Sequence, residues 1–416
     1  MTLRVLHVTP HLGGGVGRVL SRVAAYHHAR ATGVEERFLC LEPAQRTQYA
    51  DAITAVGAPV MFPADAPDLA AQLAWADILQ LEWWHHPAMA CWLTGQPPLT
   101  CRLAVWAHTS GLHYPAFPEG FPALPHVFMA TTAASPAGIV VPSSGGFDDM
   151  PARAQAAAPS PRYGYLGSLE KAKLHPRIMD FIAAAPEDFH VEIYGDTVPG
   201  TPLHPSPRLT LKGYTTQPAA ALAGMDILVY LLNPLHYGTT ENALLEAMAA
   251  GVVPIVMDNP VEAAIVRHGV TGMVVHSPAD FAKAVDYLQK NPEARHRMAE
   301  AAAADIRARF PLAVTADGLI AQYRTIMQQE PRPFHFASVW GDTPFAWFTA
   351  GLGKYAALFA PGAEENQRVA RQQLPFLYEP NKSSVFHFQR QFPKDALLKH
   401  WADILEAERV DASPVH

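Results

Sequence analysis

Tyr237-Gly238-Thr239-Thr240-Glu241-Asn242-Ala243-Leu244-Leu245-Glu246-Ala247-Met248-Ala249-Ala250-Gly251-Val252-Val253-Pro254-Ile255-Val256-Met257 is the stretch whose reading decides the fold. Its pattern predicts a loop, a short helix over residues 241–250, a glycine stop, and a buried strand over residues 252–257. A loop that opens into a helix offers unpaired backbone N–H groups and the positive end of a dipole, which together suit a phosphate. Thr239 and Thr240 add hydroxyls at the same mouth. Glu246 stands about one and a half turns into the helix, where a carboxylate could accept two hydrogen bonds from a ribose diol. An ordinary α/β helix with a solvated glutamate fits the same residues.

The run from Leu245 to Val256 continues with Glu262, Val266, His268-Gly269 and Thr271-Gly272-Met273-Val274-Val275. In that order these residues resemble the donor-binding half of GT-B glycosyltransferases, and most closely glycosyltransferase family 4. The resemblance implies that Glu246 binds the ribose of a sugar nucleotide, with Thr239, Thr240 and Asn242 lining the donor site.

The chain has 416 residues, 49% of them hydrophobic and 17% charged. That is enough for two domains with sizeable cores and an appendage. A net charge of −7 excludes a general nucleic-acid binder. Cys40, Cys91 and Cys101 are odd in number and form no CxxC pair, so reduced structural thiols in a cytoplasmic protein are expected. Neither a signal-peptide segment nor an apolar run of about 18 residues is expected from the sequence.

Strand and helix signals alternate from the start, as in parallel βαβ units. Strands are expected at residues 3–8, 36–41, 59–62, 77–82, 102–108 and 138–141, with a helix over 17–31. Residues 150–161 lack apolar periodicity and read as a linker. A second series follows, with strands at 163–166, 190–194, 209–211, 227–231, 252–257 and 273–275. Helices over 279–289 and 293–310 close it. The segment 315–327 resembles the last helix of a GT-B fold, which crosses back to the first domain. The domains expected are 1–155, 162–328 and an extension over 331–416. That extension holds 9 Phe, 3 Trp and 2 Tyr, 14 of the chain's 40 aromatics, and is too aromatic to be disordered. Within it, Leu397, Leu398, Trp401, Ile404 and Leu405 at helical spacing predict an amphipathic helix.

The first loop, His11-Leu12-Gly13-Gly14-Gly15-Val16-Gly17-Arg18, lets a backbone approach a phosphate closely. Two readings of it compete. One is a dinucleotide fingerprint with Glu42 reaching a ribose, although the spacing departs from GxGxxG. The other is the family 4 glycine loop, in which Gly14 and Gly15 face the donor diphosphate.

Leu166-Gly167-Ser168-Leu169-Glu170-Lys171-Ala172-Lys173 resembles the family's Gly-Arg-Leu-x-x-x-Lys element, whose Arg and Lys clamp the leaving diphosphate. Lys173 falls on the Lys position and Ser168 replaces the Arg. A serine supplies no cationic fork. Lys171 is expected to point elsewhere. The family's Glu-x7-Glu pattern is also broken, because the position eight before Glu246 is Gly238. The nearest acid is Glu241, read either as stabilising the helix start, at roughly 0.3–1 kcal/mol, or as a ligand of the donor sugar. His108, at the end of a strand, reads either as a satisfied core or loop histidine or, as the resemblance implies, as the family histidine that contacts the transferred sugar. Trp83-Trp84 is either core or a stacking surface for an acceptor sugar. His85-His86, without nearby cysteine or acidic ligands, does not read as a metal site. Asp148-Asp149 has no phosphate-binding context.

The resulting expectation is an α/β protein of GT-B type, two Rossmann-like domains facing across a cleft, plus an α-rich aromatic extension. The resemblance implies a retaining, metal-independent glycosyltransferase of the hexosyltransferase class. It would act on a nucleotide-sugar donor and a sugar or glycan acceptor, such as a cell-surface glycan or glycolipid. Lys173, Glu241 and His108 are the candidate catalytic residues, and no cofactor or metal is expected. A second copy of the chain, bound through the extension, is a candidate partner. The expected location is cytoplasmic, at most peripheral to the inner membrane face. A GT-B epimerase, or a non-catalytic binding or scaffold protein, is the alternative.

Overall fold

The computed structural model describes residues 2–63, 69–118, 120–121, 124, 126–129, 139–150, 160–198, 200–374, 377 and 382–411. Most of the stretch expected as a linker, with the boundary at 155, lies outside these residues. The described chain forms two compact units. One comprises residues 1–143 with 315–416, the other residues 144–314.

The first unit is built on β1 (Leu3–Thr9), β2 (Val34–Cys40), β3 (Val60–Met61), β4 (Ile78–Trp83), β5 (Arg102–Ala107) and β6 (Val127–Met129), in the order β3-β2-β1-β4-β5-β6. The second is built on β7 (Tyr163–Leu166), β8 (Val191–Tyr194), β9 (Leu209–Gly213), β10 (Ile227–Tyr230), β11 (Val253–Met257) and β12 (Met273–Val275), in the order β12-β11-β10-β7-β8-β9. Every pairing is parallel. Read from its first strand, each sheet has the doubly wound order in which the chain reverses direction between its first and fourth strands. All residues of β4, β10 and β11 are buried, the near-continuous apolar pattern of strands covered on both faces.

One strand expectation needs correction. The sixth strand of the first sheet is Val127–Met129, and of the strand expected at 138–141 the described residues 139–141 form no strand of the sheet. Val140 makes only an isolated bridge to Met129. Three residues inside a proline-rich stretch are too few to give a period.

The extension belongs to the first unit. Leu99 and Phe334 exchange backbone hydrogen bonds of 2.9 and 3.0 Å. Trp340 packs on Trp83, ring centroids 5.3 Å apart, and on Phe121. Arg371 is fully buried and pairs with Glu408 at 2.5 Å while donating to the carbonyls of Leu358 and Ala363. The last helix, Ala396–Asp411, buries Leu398, Trp401 and Leu405. Leu397, expected on that apolar face, is 52% exposed, because the buried stripe follows the i, i+3, i+7 spacing from Leu398.

Candidate active site

In the second unit, the loops after β7 and β10 leave neighbouring strands where the strand order reverses, the usual place for a ligand in such sheets. The first loop carries Lys173, the second Glu241. The Lys173 ammonium lies 2.6 and 2.7 Å from the two carboxylate oxygens of Glu241. The Tyr230 hydroxyl, at the end of β10, donates to Glu241 Oε2 at 2.7 Å. Burial opposes ionisation of Glu241, but the Lys173 ammonium, with the Tyr230 hydroxyl, outweighs it and holds the carboxyl below the usual carboxylate range.

Gly238 explains how this carboxylate fits. A Cβ on residue 238 would lie 1.6 Å from Glu241 Oε1 and 2.7 Å from Lys173 Nζ. The Glu241 carboxylate therefore fills the space where a side chain at 238 would begin. Glu241 reaches it from a left-handed backbone, φ 51° and ψ 64°, just before the helix Asn242–Ala249. A non-glycine residue in that region costs about 1–3 kcal/mol and persists only where its surroundings impose it. The helix thus starts one residue later than the sequence suggests.

Thr239 and Thr240 are buried in the same loop, Asn242 is the first helical residue, and Glu246 is buried within the helix. Ser168 follows β7 and serves its own turn: its hydroxyl accepts from the Glu170 N–H at 3.4 Å and its carbonyl from the Tyr165 hydroxyl at 2.7 Å. Lys173 and Glu241 are brought together directly, and Thr239, Thr240 and Asn242 flank them along the chain.

His236 sits between two acids. Its Nδ1 accepts the Gly238 N–H at 3.0 Å, so the proton is on Nε2, which donates to Glu262 at 3.1 Å. Ligand atoms of His236, Glu241 and Glu262 lie within 4.8 Å of one another, close enough to consider a cation. Such an ion would have to displace the Gly238 N–H or the Glu262 hydrogen bond, because each ring nitrogen is already committed.

In the first unit, the glycine loop ends β1 and Gly14 and Gly15 open the helix Gly14–Ala29. Gly17 is required there: a Cβ would meet the Leu12 carbonyl oxygen at 2.0 Å. His108 follows β5 and donates from Nε2 to Glu82 at 2.7 Å. Trp83 and Trp84 part ways. Trp83 is fully buried against Phe121 and Trp340, whereas the half-buried Trp84 lies beside the rings of His11 and His108 at the strand ends.

The expectation that His85-His86 lacks acidic neighbours needs correction. Glu42, at the end of β2, lies 3.3 Å from His86 Nε2, and His11 completes a cluster whose ligand atoms lie within 4.8 Å of one another. Residues 42 and 86 are far apart in sequence and meet only because β2, β1 and β4 are adjacent. Here too the hydrogen bonds fix the tautomers. His11 Nδ1 accepts the Gly13 N–H at 3.0 Å and His86 Nδ1 the Ala88 N–H at 3.2 Å, so both histidines carry their proton on Nε2. His85 is turned inward, and burial, only partly offset by its 3.3 Å contact with the Phe348 carbonyl, lowers its pKa to about 4.

Sequence reasoning missed Tyr230 and His236 beside Glu241, gave Glu262 no role there although it carries part of the resemblance, and missed His7, Glu36 and Glu82 beneath His108. A signal was present for the second set. A histidine or glutamate inside an otherwise apolar parallel strand is out of pattern, as at His7 in β1 and Glu82 in β4.

Comparison with known proteins gives three findings. Residues 160–291 match the family described as Glycosyl transferases group 1. Among curated proteins no match to the chain is found. Solved structures similar to it include a glycosyltransferase from Rickettsia africae ESF-5, at 12% identity and TM-score 0.57, covering 79% of this chain and 99% of that one. Anabaena HepE in complex with UDP is similar at 16% identity and TM-score 0.59, covering 78% and 100%. Sucrose-phosphate synthase from Thermosynechococcus elongatus is similar at 13% identity and TM-score 0.55, covering 78% and 99%. The fold is that of GT-B glycosyltransferases, and residues 160–291 match the group 1 family. Among the described residues, no helix is long and apolar enough to cross a membrane.

Proposed function

We propose that this chain, with a glycosyl transferases group 1 region over residues 160–291, moves a sugar from a nucleotide-sugar donor to an acceptor, with retention at the anomeric carbon and no metal ion. The observation that carries the reading is the Lys173–Glu241 pair at the mouth of the helix Asn242–Ala249, inside the segment that matches the family. Leaving-group departure builds negative charge on the diphosphate and positive charge on the sugar ring. Lys173 and the start of the helix stabilise the first. Glu241 lies beside Lys173 and takes the place of the acid missing at residue 238. Glu246 holds the ribose. The family resemblance alone would give Gly14 and Gly15 a role toward the diphosphate and His108 one toward the transferred sugar.

Metal independence draws support from the chemistry of the two histidine–carboxylate clusters, where the imidazole lone pairs already accept backbone N–H groups. A uridine nucleotide is the first donor to test, because HepE was crystallised with UDP and with UDP-glucose. The acceptor would be a glycan or glycolipid, met in the cytoplasm or at a membrane face.

The test is thermal shift of the full chain with UDP-, GDP- and ADP-sugars, followed by turnover of the stabilising donor with and without candidate acceptors. Stabilisation by one nucleotide class, with acceptor-dependent release of nucleoside diphosphate, is expected. Acceptor-independent release of a rearranged sugar would indicate an epimerase. Binding without turnover would indicate a non-catalytic protein.

A further inference from the structure

Beneath His108 a line of ionisable side chains crosses four strands of the first sheet. Glu36 on β2, His7 on β1, Glu82 on β4 and His108 just past β5 all lie on one face. The pairing shows why. His7 is level with Phe38 on β2 and with Gln80 on β4, while Glu82 is level with Trp106 on β5. Steps of two residues then bring Glu36, Glu82 and His108 to that same face.

Every link is close. His7 Nε2 lies 3.2 Å from Glu36 Oε1 and His7 Nδ1 lies 2.7 Å from Glu82 Oε1. The other oxygen of Glu82 meets His108 Nε2 at 2.7 Å. Gln80 donates to Glu82 Oε1 at 2.7 Å. On the far side His27, from the helix Gly14–Ala29, brings Nδ1 to 3.2 Å from Glu36 Oε1, without the alignment of a hydrogen bond. Tyr323, from the helix Leu312–Met327, is the further titratable group buried against Glu36 and Glu82. The side chains of His7 and Glu82 are fully buried, and those of His27, Glu36 and His108 are at most 4% exposed.

The chemistry of the contacts assigns the protons. A carboxylate only accepts, so an imidazole facing a carboxylate on both nitrogens must donate from both. His7 is therefore an imidazolium. His108 must donate from Nε2, which makes Nδ1 the ring's remaining position, and that atom has no hydrogen-bond partner among the described residues.

We propose that Glu36, His7 and Glu82 form a buried imidazole–carboxylate relay that holds His108 in its Nε2–H tautomer, with its buried Nδ1 kept as the acceptor. Glu82 is then a positioning residue for His108, and His7 and Glu36 position Glu82. Burial disfavours a charged His7, but the two glutamates raise its pKa to about 9. Burial likewise opposes ionisation of Glu36, while His27 and His7 bring it down to about 2. Apolar side chains of similar volume in the same core are often as stable or more so, so the ions serve something other than packing. His108's part in sugar transfer rests on the function proposed above; the relay itself does not.

The test uses the full chain labelled with 15N-histidine, its imidazole resonances followed between pH 6 and 10, with His108→Asn assigning the His108 signals. In the native chain His7 is expected to show both nitrogens protonated past pH 8, and His108 an unprotonated Nδ1. In Glu82→Gln the His7 charge should be lost at lower pH, and His108 should average between its two tautomers. A native His7 that titrates near its ordinary value, or a His108 pattern unchanged in Glu82→Gln, would overturn the relay. Should Glu82→Gln fail to fold, Glu36→Gln serves. It should shift the loss of the His7 proton to lower pH and leave the His108 tautomer intact, and an unshifted His7 would again overturn the idea. Turnover supplies a separate arm. Glu82→Gln should lower kcat with donor KM unchanged, and in a His108→Asn background it should cost nothing further. A native chain that transfers no sugar would count against the transferase reading, while the resonances still decide the relay.

Discussion

Gly238 and Glu241 cannot both carry a side chain into the same space. The carboxylate of Glu241, held by Lys173 and Tyr230, sits 1.6 Å from where a Cβ on residue 238 would be. Four residues that looked independent in the sequence therefore behave as one unit, and most substitutions in it should be read in pairs.

Gly238→Ala is expected to push the Glu241 carboxylate away from Lys173 and weaken donor binding. Glu241→Gly should weaken binding too. The exchange Gly238→Glu/Glu241→Gly should recover part of the loss, because it removes the left-handed glutamate and restores an acid at this spot. Calorimetric titration with the donor across the three variants checks this. An exchange variant no better than Glu241→Gly would mean the carboxylate's position is immaterial.

Lys173→Ala removes the cation proposed for the diphosphate and also strands a buried carboxylate. Breaking a buried pair by removing one partner costs about 3–5 kcal/mol of stability. Lys173→Met/Glu241→Gln should regain most of that stability and none of the turnover, which should stay down by about 10²–10³. Denaturant melts and initial rates on the same samples separate the two effects. Equal stability for Lys173→Ala and the native chain would show that Glu241 finds another partner.

Glu246→Ala should weaken free nucleoside diphosphate and nucleotide-sugar by the same factor, since both contain the ribose. A lost charge-assisted pair of hydrogen bonds is worth about 1.5–3 kcal/mol. Unchanged affinity for the free nucleotide would take Glu246 out of the site.

The first unit should have a stability optimum near pH 6.5. His7 has its pKa raised from 6.5 to about 9, so its contribution is fully present below 6.5 and disappears as pH rises through about 9. Glu36 is lowered from 4.5 to about 2, so its contribution is present above 4.5 and disappears as pH falls through about 2. Melting temperature should accordingly decline above pH 6.5 through His7, and below pH 6.5 through buried His85, whose pKa is lowered from 6.5 to about 4, with Glu36 adding to the fall below 4.5. In a folded Glu36→Gln variant the alkaline decline should begin at lower pH. A flat alkaline limb in the native chain would refute the buried imidazolium.

Much of the architecture was legible because its elements are long and periodic. Two series of alternating strands and helices gave two parallel sheets, and the run from Leu245 to Val275 lies in the segment that matches the group 1 family. Lys173 and Glu241 could be singled out from motif positions, but their contact spans 68 residues and has no sequence signature. Gly238 read as a lost acid, and only the geometry shows another carboxylate in its place. His86 and Glu42 escaped for the same reason, since strand order rather than spacing makes them neighbours. Trp83 and Trp84 alternate between the core and the strand ends, as a period of two requires, once the strand's orientation is known.

The extension also sets an order of events during synthesis. The first unit takes residues from both ends of the chain, and His85 waits for a hydrogen-bond partner 263 residues downstream and another 298 residues downstream. At about 5–20 residues per second, the later of these arrives roughly 15–60 s after His85 has been made. The second unit is continuous in sequence and needs no such delay. The ribosome therefore presents a complete middle and an unfinished beginning, with Trp83 lacking the Trp340 ring that will cover it. For that interval the nascent chain depends on whatever shields apolar surface in the cell, and codon changes that slow residues 144–314 lengthen it.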